Sequence, residues 1–231
     1  MTKVIKVKKV AYFGGSFSPV HLGHLKTANF LVDKLSLDEL YFMPNATPPH
    51  KDRVSLPFAT RCQLLEQAIK DFGQERFKVS YFEQDDSITH YTYETLSVLH
   101  EQHQGDELFF IMGMDSLIHL NTWKNWDHLI DKANLVVLAR PNYDLKDLPQ
   151  DIYHHVLSVQ QSYPHQRPYN FYLENNPVVD ISSTALRQAL ATSTKSPQDE
   201  QFLKNHLTLG TLALIQEHKL FTKGNIYKSK T

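Results

Sequence analysis

A chain of 231 residues, 41% hydrophobic and 11% aromatic, can bury a sizeable core, which excludes intrinsic disorder. Its formal net charge of -1 gives no basic footprint, so nucleic-acid binding is not expected and any phosphate binding must be confined to a pocket. One cysteine, Cys62, excludes an internal disulfide. Lysines break every apolar run of the opening MTKVIKVKKV, and no window approaches the roughly 18 apolar residues of a membrane helix, so a soluble cytoplasmic protein without a membrane partner is expected.

Val7 to Phe13 is rich in β-branched and aromatic residues and runs into Gly14-Gly15, a strand entering a glycine turn. From His21 to Leu35 the apolar positions recur every three or four residues, which predicts a helix. Glu39 to Met43 reads as a buried strand stopped by Pro44, and Asn45 to Pro57, with Pro48, Pro49 and Pro57, as a loop. Phe58 to Phe72 is helical, Phe77 to Phe82 a strand, and Thr92 to His103 helical. Glu107 to Met112 and Asn134 to Ala139 are strands ending at Gly113 and Arg140. Pro141 to Asn176 is irregular, with a helix and a strand near Asn170 to Leu173. Ser182 to Phe221 is helical, and a polar tail follows Gly224. This alternation predicts an α/β fold: a Rossmann-like, doubly wound, mainly parallel sheet with a small C-terminal helical region. A single domain is expected, with the core at about 1–180 and the helical part at about 181–223. Ligands of such sheets sit beyond the carboxyl ends of the strands, here Gly14-Gly15, Pro44-Asn45, Gly113 and Arg140, which should converge.

Two segments carry chemistry. In GGSFSPVHLGH, Gly14 to His24, two glycines let backbone amides approach a ligand, and the following helix aims its N–H groups at the same place. His21 and His24 are three apart and share a helical face, while Gly23 leaves room for a bulky ligand. Such an imidazole pair can stabilise charge in a phosphoryl-transfer transition state. A plain turn and surface histidines are the competing reading; no HExxH, cysteine cluster or GxxxxGK[ST] loop is present, and no metal-ligand set is expected. In DISSTALRQAL, Asp180 to Leu190, Ser182 or Ser183 is a natural N-cap and Arg187 lies one turn on, a second anion clamp. An ordinary capped surface helix is the alternative.

GGSFSPVHLGH resembles the signature of the HxGH nucleotidyltransferases, and within them the nicotinate-nucleotide adenylyltransferases, which carry Asp or Asn where this chain has Ser18. Ser18 is expected to cap the helix instead. ISSTALR is similar to the second signature of that family. The resemblance implies that Gly14, Gly15, Ser16, His21, His24, Gly113, Asp115, Ser182, Ser183 and Arg187 bind ATP, with His21, His24 and Arg187 catalytic. Asn45 and Lys51 of PNATPPHK, Thr92 of HYTYETL and Trp123 of GMDSLIHLNTW are similar to family positions that meet the mononucleotide. Asp115 suits a ribose diol and Trp123 a pyridine ring, though a helix cap and a core residue remain open. The implied reaction transfers AMP from ATP to nicotinate mononucleotide, with Mg2+ travelling on the ATP phosphates. The alternatives are nicotinamide mononucleotide or phosphopantetheine as acceptor, a non-catalytic nucleotide sensor, and a metal-dependent hydrolase using some of the 13 histidines. The oligomeric state is not indicated.

Overall fold

The computed structural model describes residues 6–46, 56–85, 88–139, 145–165, 168–175, 181–192 and 196–222. Six strands, β1 (Lys9–Gly15), β2 (Glu39–Pro44), β3 (Phe77–Val79), β4 (Glu107–Gly113), β5 (Asn134–Ala139) and β6 (Phe171–Asn175), form a sheet of order β3-β2-β1-β4-β5-β6. This is the doubly wound Rossmann order, which reverses direction between β1 and β4. The helices are α1 (Leu22–Lys34), α2 (Phe58–Phe72), α3 (Thr92–Gln102), α4 (Met114–Ile118), α5 (Gln150–Ser162), α6 (Ser183–Ala191), α7 (Pro197–His206) and α8 (Leu209–Glu217). Among the described residues no helix is long and apolar enough to cross a membrane.

The chain divides into two compact units. The first takes Met1–Gly14, Val32–Tyr41 and His90–Pro177. Its centre is the parallel ladder of β1, β4, β5 and β6, in which Tyr12 pairs with Phe110, Ile111 with Val136, and Leu135 with Phe171. Every residue of β5 is buried, as are the middle five of β4. A parallel strand covered on both faces needs a continuous apolar run, and FFIM and LVVL supply it. Helix α3 covers the ladder with Leu96 and Leu99, and α5 with Ile152, Val156 and Val159.

The second unit takes Gly15–Leu31, Phe42–Thr89 and Val178–Thr231. Leu25, Ala28 and Leu31 of α1 have no solvent exposure. Helix α2 buries Phe58, Arg61, Cys62, Leu64, Leu65 and Ala68, and ends at Gly73, whose φ of 74° closes the last turn through its N–H to the Ile69 carbonyl.

Two expectations differ from the structure, and a third stretch carried none. Strand β3 stops at Val79, because the Ser80 hydroxyl accepts the Phe82 N–H and Gln84 N–H bonds the Tyr81 carbonyl, so a local turn replaces the ladder. The stretch after Ser182 is three helices. Ser196 with Asp199 forms a capping box before α7, and Thr208 caps α8 by accepting the Thr211 N–H. The stretch after Gly113 folds as α4 and two 3-10 turns, Leu120–Thr122 and Trp126–Asp131.

Candidate functional site

The loop after β1 places the histidines in the second unit. His21 immediately precedes α1, so His24 stands in its first turn. The backbone N–H of His21 donates to His24 Nδ1 at 3.2 Å. That is the return half of a capping box, made by an imidazole where glutamate is usual. The bond makes Nδ1 an acceptor and assigns the ring proton to Nε2. The two rings stack with centroids 3.6 Å apart, and Phe17 meets His24 edge-on at 5.1 Å. Phe17 is buried and held at φ 44°, a left-handed conformation that costs a phenylalanine of the order of 1–3 kcal/mol. Burial lowers the pKa of His24 to about 4. Burial, then His24 and His206, lowers that of His21 to about 2. Both rings are therefore neutral at physiological pH. His21 Nδ1 is buried with no hydrogen-bond partner.

The second signature belongs to the same unit. Ser182 is the N-cap of α6, its hydroxyl accepting the Ala185 N–H at 3.2 Å. Arg187 Nη1 donates to the Ser18 carbonyl at 2.8 Å and Nη2 to Thr184 Oγ1 at 2.9 Å. Ser183 Oγ donates to the Pro19 carbonyl at 3.0 Å. The expected anion clamps are thus fastened to each other. Burial lowers the pKa of the Arg187 guanidinium, which marks a cation whose hydration is incomplete.

Two features of the glycine-rich loop, Gly23 and Ser18, differ from expectation. An added Cβ at Gly14 would meet the Phe110 ring at 3.0 Å, and one at Gly15 the Phe17 ring at 3.0 Å. At Gly23 it would strike Ile181 Cγ2 at 2.7 Å and His21 Nδ1 at 2.8 Å. These glycines make room for the chain's own side chains, and Gly23 does not open space for a ligand. Gly113 alone of the expected four has nothing within 4 Å of such an atom. Ser18 does not cap α1, since its hydroxyl is buried without a hydrogen-bond partner and its carbonyl is taken by Arg187.

Beyond β2, Asn45 is exposed at its side chain while its N–H donates to the Gly15 carbonyl at 3.0 Å. Arg61, 1% exposed, donates to three carbonyls: Leu56 at 3.0 Å, Ser16 at 3.1 Å and Asn45 at 2.7 Å. The Ala46 N–H donates to Glu83 Oε2 at 3.0 Å. Lys51 and Arg140 lie outside the described residues.

In the first unit, Gly113 is the N-cap of α4 and Asp115 sits exposed in its first turn, so Asp115 is not the cap. Thr92 opens α3, whose N-cap residue, Tyr91, makes no side-chain capping bond. Trp123 is half-buried, which removes the core-residue reading. Lys124 ties these two segments together: its Nζ lies 2.6 Å from Glu94 Oε1 and 4.5 Å from the Tyr91 ring centre.

The cytidylyltransferase-like family profile matches residues 12–189, a span that includes both signatures. The chain belongs to this family. Its relatives agree. It is 32% identical to the probable nicotinate-nucleotide adenylyltransferase of Clostridium novyi (strain NT) over 225 residues, 96% of this chain and all of that one. It is 34% identical to the protein of the same description from Shewanella sp. (strain MR-7), over 92% of this chain and 99% of that one. The fold is shared with a Plasmodium falciparum nicotinic acid mononucleotide adenylyltransferase complexed with APC, at a TM-score of 0.70 and 18% identity, over 93% of this chain and 97% of that one. The same enzyme complexed with NaAD gives 0.68.

For this cytidylyltransferase-like chain, sequence reasoning did not find Arg61, Phe17 or Lys124. Arg61 left one trace, a charged residue on the apolar stripe between Phe58 and Leu65. Phe17 lies inside the first signature, but a left-handed phenylalanine has no sequence mark. Nothing in the sequence distinguishes Lys124 from any surface lysine.

Proposed function

We propose that this nucleotidyltransferase transfers AMP from ATP to nicotinate mononucleotide, giving nicotinate adenine dinucleotide and pyrophosphate. The observation that carries the reading is the fastening of Arg187 and Ser183 to the Ser18 and Pro19 carbonyls of the histidine loop, which gathers imidazoles and a guanidinium in one unit. A phosphate oxygen of the mononucleotide attacks the α-phosphorus of ATP. The bond from that phosphorus to the bridging oxygen breaks, and pyrophosphate leaves with the electron pair. The nucleophile is already anionic at neutral pH, so positioning and charge stabilisation suffice, and positioning alone is worth about 7–11 kcal/mol.

In this reading His24, its proton on Nε2, donates to the transferring α-phosphate, with His21 stacked behind it. Neutral donors fixed in advance serve as in an oxyanion hole. Arg187 restrains the leaving pyrophosphate, and the exposed Ser16 and capping Ser182 belong to the same ATP-binding set. Gly113 and Asp115 are assigned to the nucleoside, and Asn45, Lys51, Thr92 and Trp123 to the mononucleotide. The α3 N-terminus, without a side-chain cap, favours a carboxylate over an amide. Mg2+ enters as the ATP complex. Imidazoles, hydroxyls and a guanidinium suit a metal carried by substrate phosphates and water rather than caged by carboxylates.

The test follows phosphorus. With ATP labelled at the α-phosphate, the reading expects the label in the dinucleotide and unlabelled pyrophosphate; label in pyrophosphate or inorganic phosphate contradicts it.

A further inference from the structure

The helix that follows the loop after β2 carries a fully buried cation that no part of the proposed chemistry uses. The α2 stripe that buries Phe58, Cys62, Leu64 and Leu65 would be apolar throughout but for Arg61. A guanidinium is taken out of water only where its donors find acceptors, and a planar fork can serve several at fixed angles. Here Nε, Nη1 and Nη2 each donate to a different backbone carbonyl. Two of those carbonyls are Ser16, in the histidine loop, and Asn45, at the end of β2, residues assigned above to ATP and to the mononucleotide. The third, Leu56, precedes Pro57, the N-cap residue of α2. Two further bonds complete the arrangement: Asn45 N–H to the Gly15 carbonyl, and Ala46 N–H to buried Glu83.

We infer that Arg61 is a positioning residue: one guanidinium fixes the spacing between the ATP-binding loop and the start of the acceptor loop by holding the Ser16 and Asn45 carbonyls in a single fork. Its kinetic consequence rests on the adenylyl-transfer reading; its structural consequence does not. The geometry excludes lysine as an equivalent, since an ammonium on a flexible stem cannot reproduce three bonds in one plane.

The experiment uses the full chain with Arg61→Lys and, as a neutral second variant, Arg61→Gln, each first shown to melt cooperatively. Hydrogen exchange is followed at the Asn45 and Ala46 amides, ATP affinity by titration, and kcat and both KM values by pyrophosphate release. Both variants are expected to exchange these amides faster, and Arg61→Lys to lose roughly 10- to 100-fold in kcat/KM while staying folded, the loss of charge-assisted bonds. The mononucleotide KM should rise and kcat fall together. Unchanged amide protection in Arg61→Lys overturns the inference whatever the kinetics show. Lost protection with unchanged ATP affinity, kcat and KM values overturns it too, by showing that the spacing does not matter. If the unsubstituted chain releases no pyrophosphate, the adenylyl-transfer reading fails, and Arg61 is then judged by amide exchange and ATP affinity alone.

Discussion

His24 is kept neutral by three neighbours at once: the His21 N–H on its Nδ1, the His21 ring stacked at 3.6 Å, and Phe17 edge-on at 5.1 Å. Protonating Nδ1 would set one donor against another and place charge inside an apolar stack, which is why burial leads the lowering of its pKa. Replacing His24 by alanine should therefore lower kcat by roughly 10²- to 10³-fold, as loss of one oxyanion donor does, with the ATP KM little changed; steady-state kinetics check this. The same neutrality fixes the sign of an acid effect. The folded pKa values, about 4 for His24 and about 2 for His21, lie below the ordinary 6.5, so the unfolded chain binds protons first. The stability contribution is complete above about pH 6.5 and is lost as pH falls from there towards those values, at up to about 1.4 kcal/mol per pH unit per histidine and less for partly exposed His24. Denaturant melts at pH 7, 6 and 5 should show this fall, and His21→Gln should flatten it; an equal fall in both proteins contradicts the account. Gly23→Ala forces a methyl against Ile181 and the His21 ring, so a loss of about 1–3 kcal/mol is expected in the same melts.

At the scale of elements, the cap at Ser182 sets the start of α6, and the helix meets the histidine loop twice, through Ser183 on the Pro19 carbonyl and, one turn later, through Arg187 on that of Ser18. Ser182→Ala should cost about 1 kcal/mol, the ordinary worth of such a cap. Arg187→Lys should raise the ATP KM as well as slow turnover, because an ammonium cannot serve Ser18 and Thr184 and grip phosphate oxygens together. The elements divide into those the sequence marks and those it does not. Helix α2 and strand β5 have the bounds their patterns predict, since a proline, a glycine and unbroken apolar periodicity punctuate them. The break between α6, α7 and α8 carried signals, Ser196-Pro197 and Thr208, that a continuous helical pattern masks. The early end of β3 carried none beyond Ser80, because a hydroxyl turning back on its own backbone competes with strand pairing only locally.

For the whole molecule, the doubly wound parallel class of the sheet and both signatures were legible because each rests on local pattern: apolar runs, glycine turns and a capped helix. What holds the candidate residues was not, because it is long-range. Arg61 reaches carbonyls 45 residues before it and 16 residues before it, and Arg187 one 169 residues away. The glycines show the same limit, since sequence marks where a side chain is missing and not whether Phe110, Phe17, Ile181 or a substrate fills the space. Trp123 also belongs at this scale. Half-buried and beside Lys124, which meets Tyr91 and Glu94, it should contribute stacking to the acceptor, so Trp123→Ala should raise the mononucleotide KM with the ATP KM unchanged. The most direct measurement of the central claim is initial-rate pyrophosphate release with Mg2+ and ATP, comparing nicotinate mononucleotide, nicotinamide mononucleotide and phosphopantetheine. The account predicts release that requires an acceptor and is fastest with nicotinate mononucleotide. No release with any of the three, or equal release without an acceptor, would contradict it.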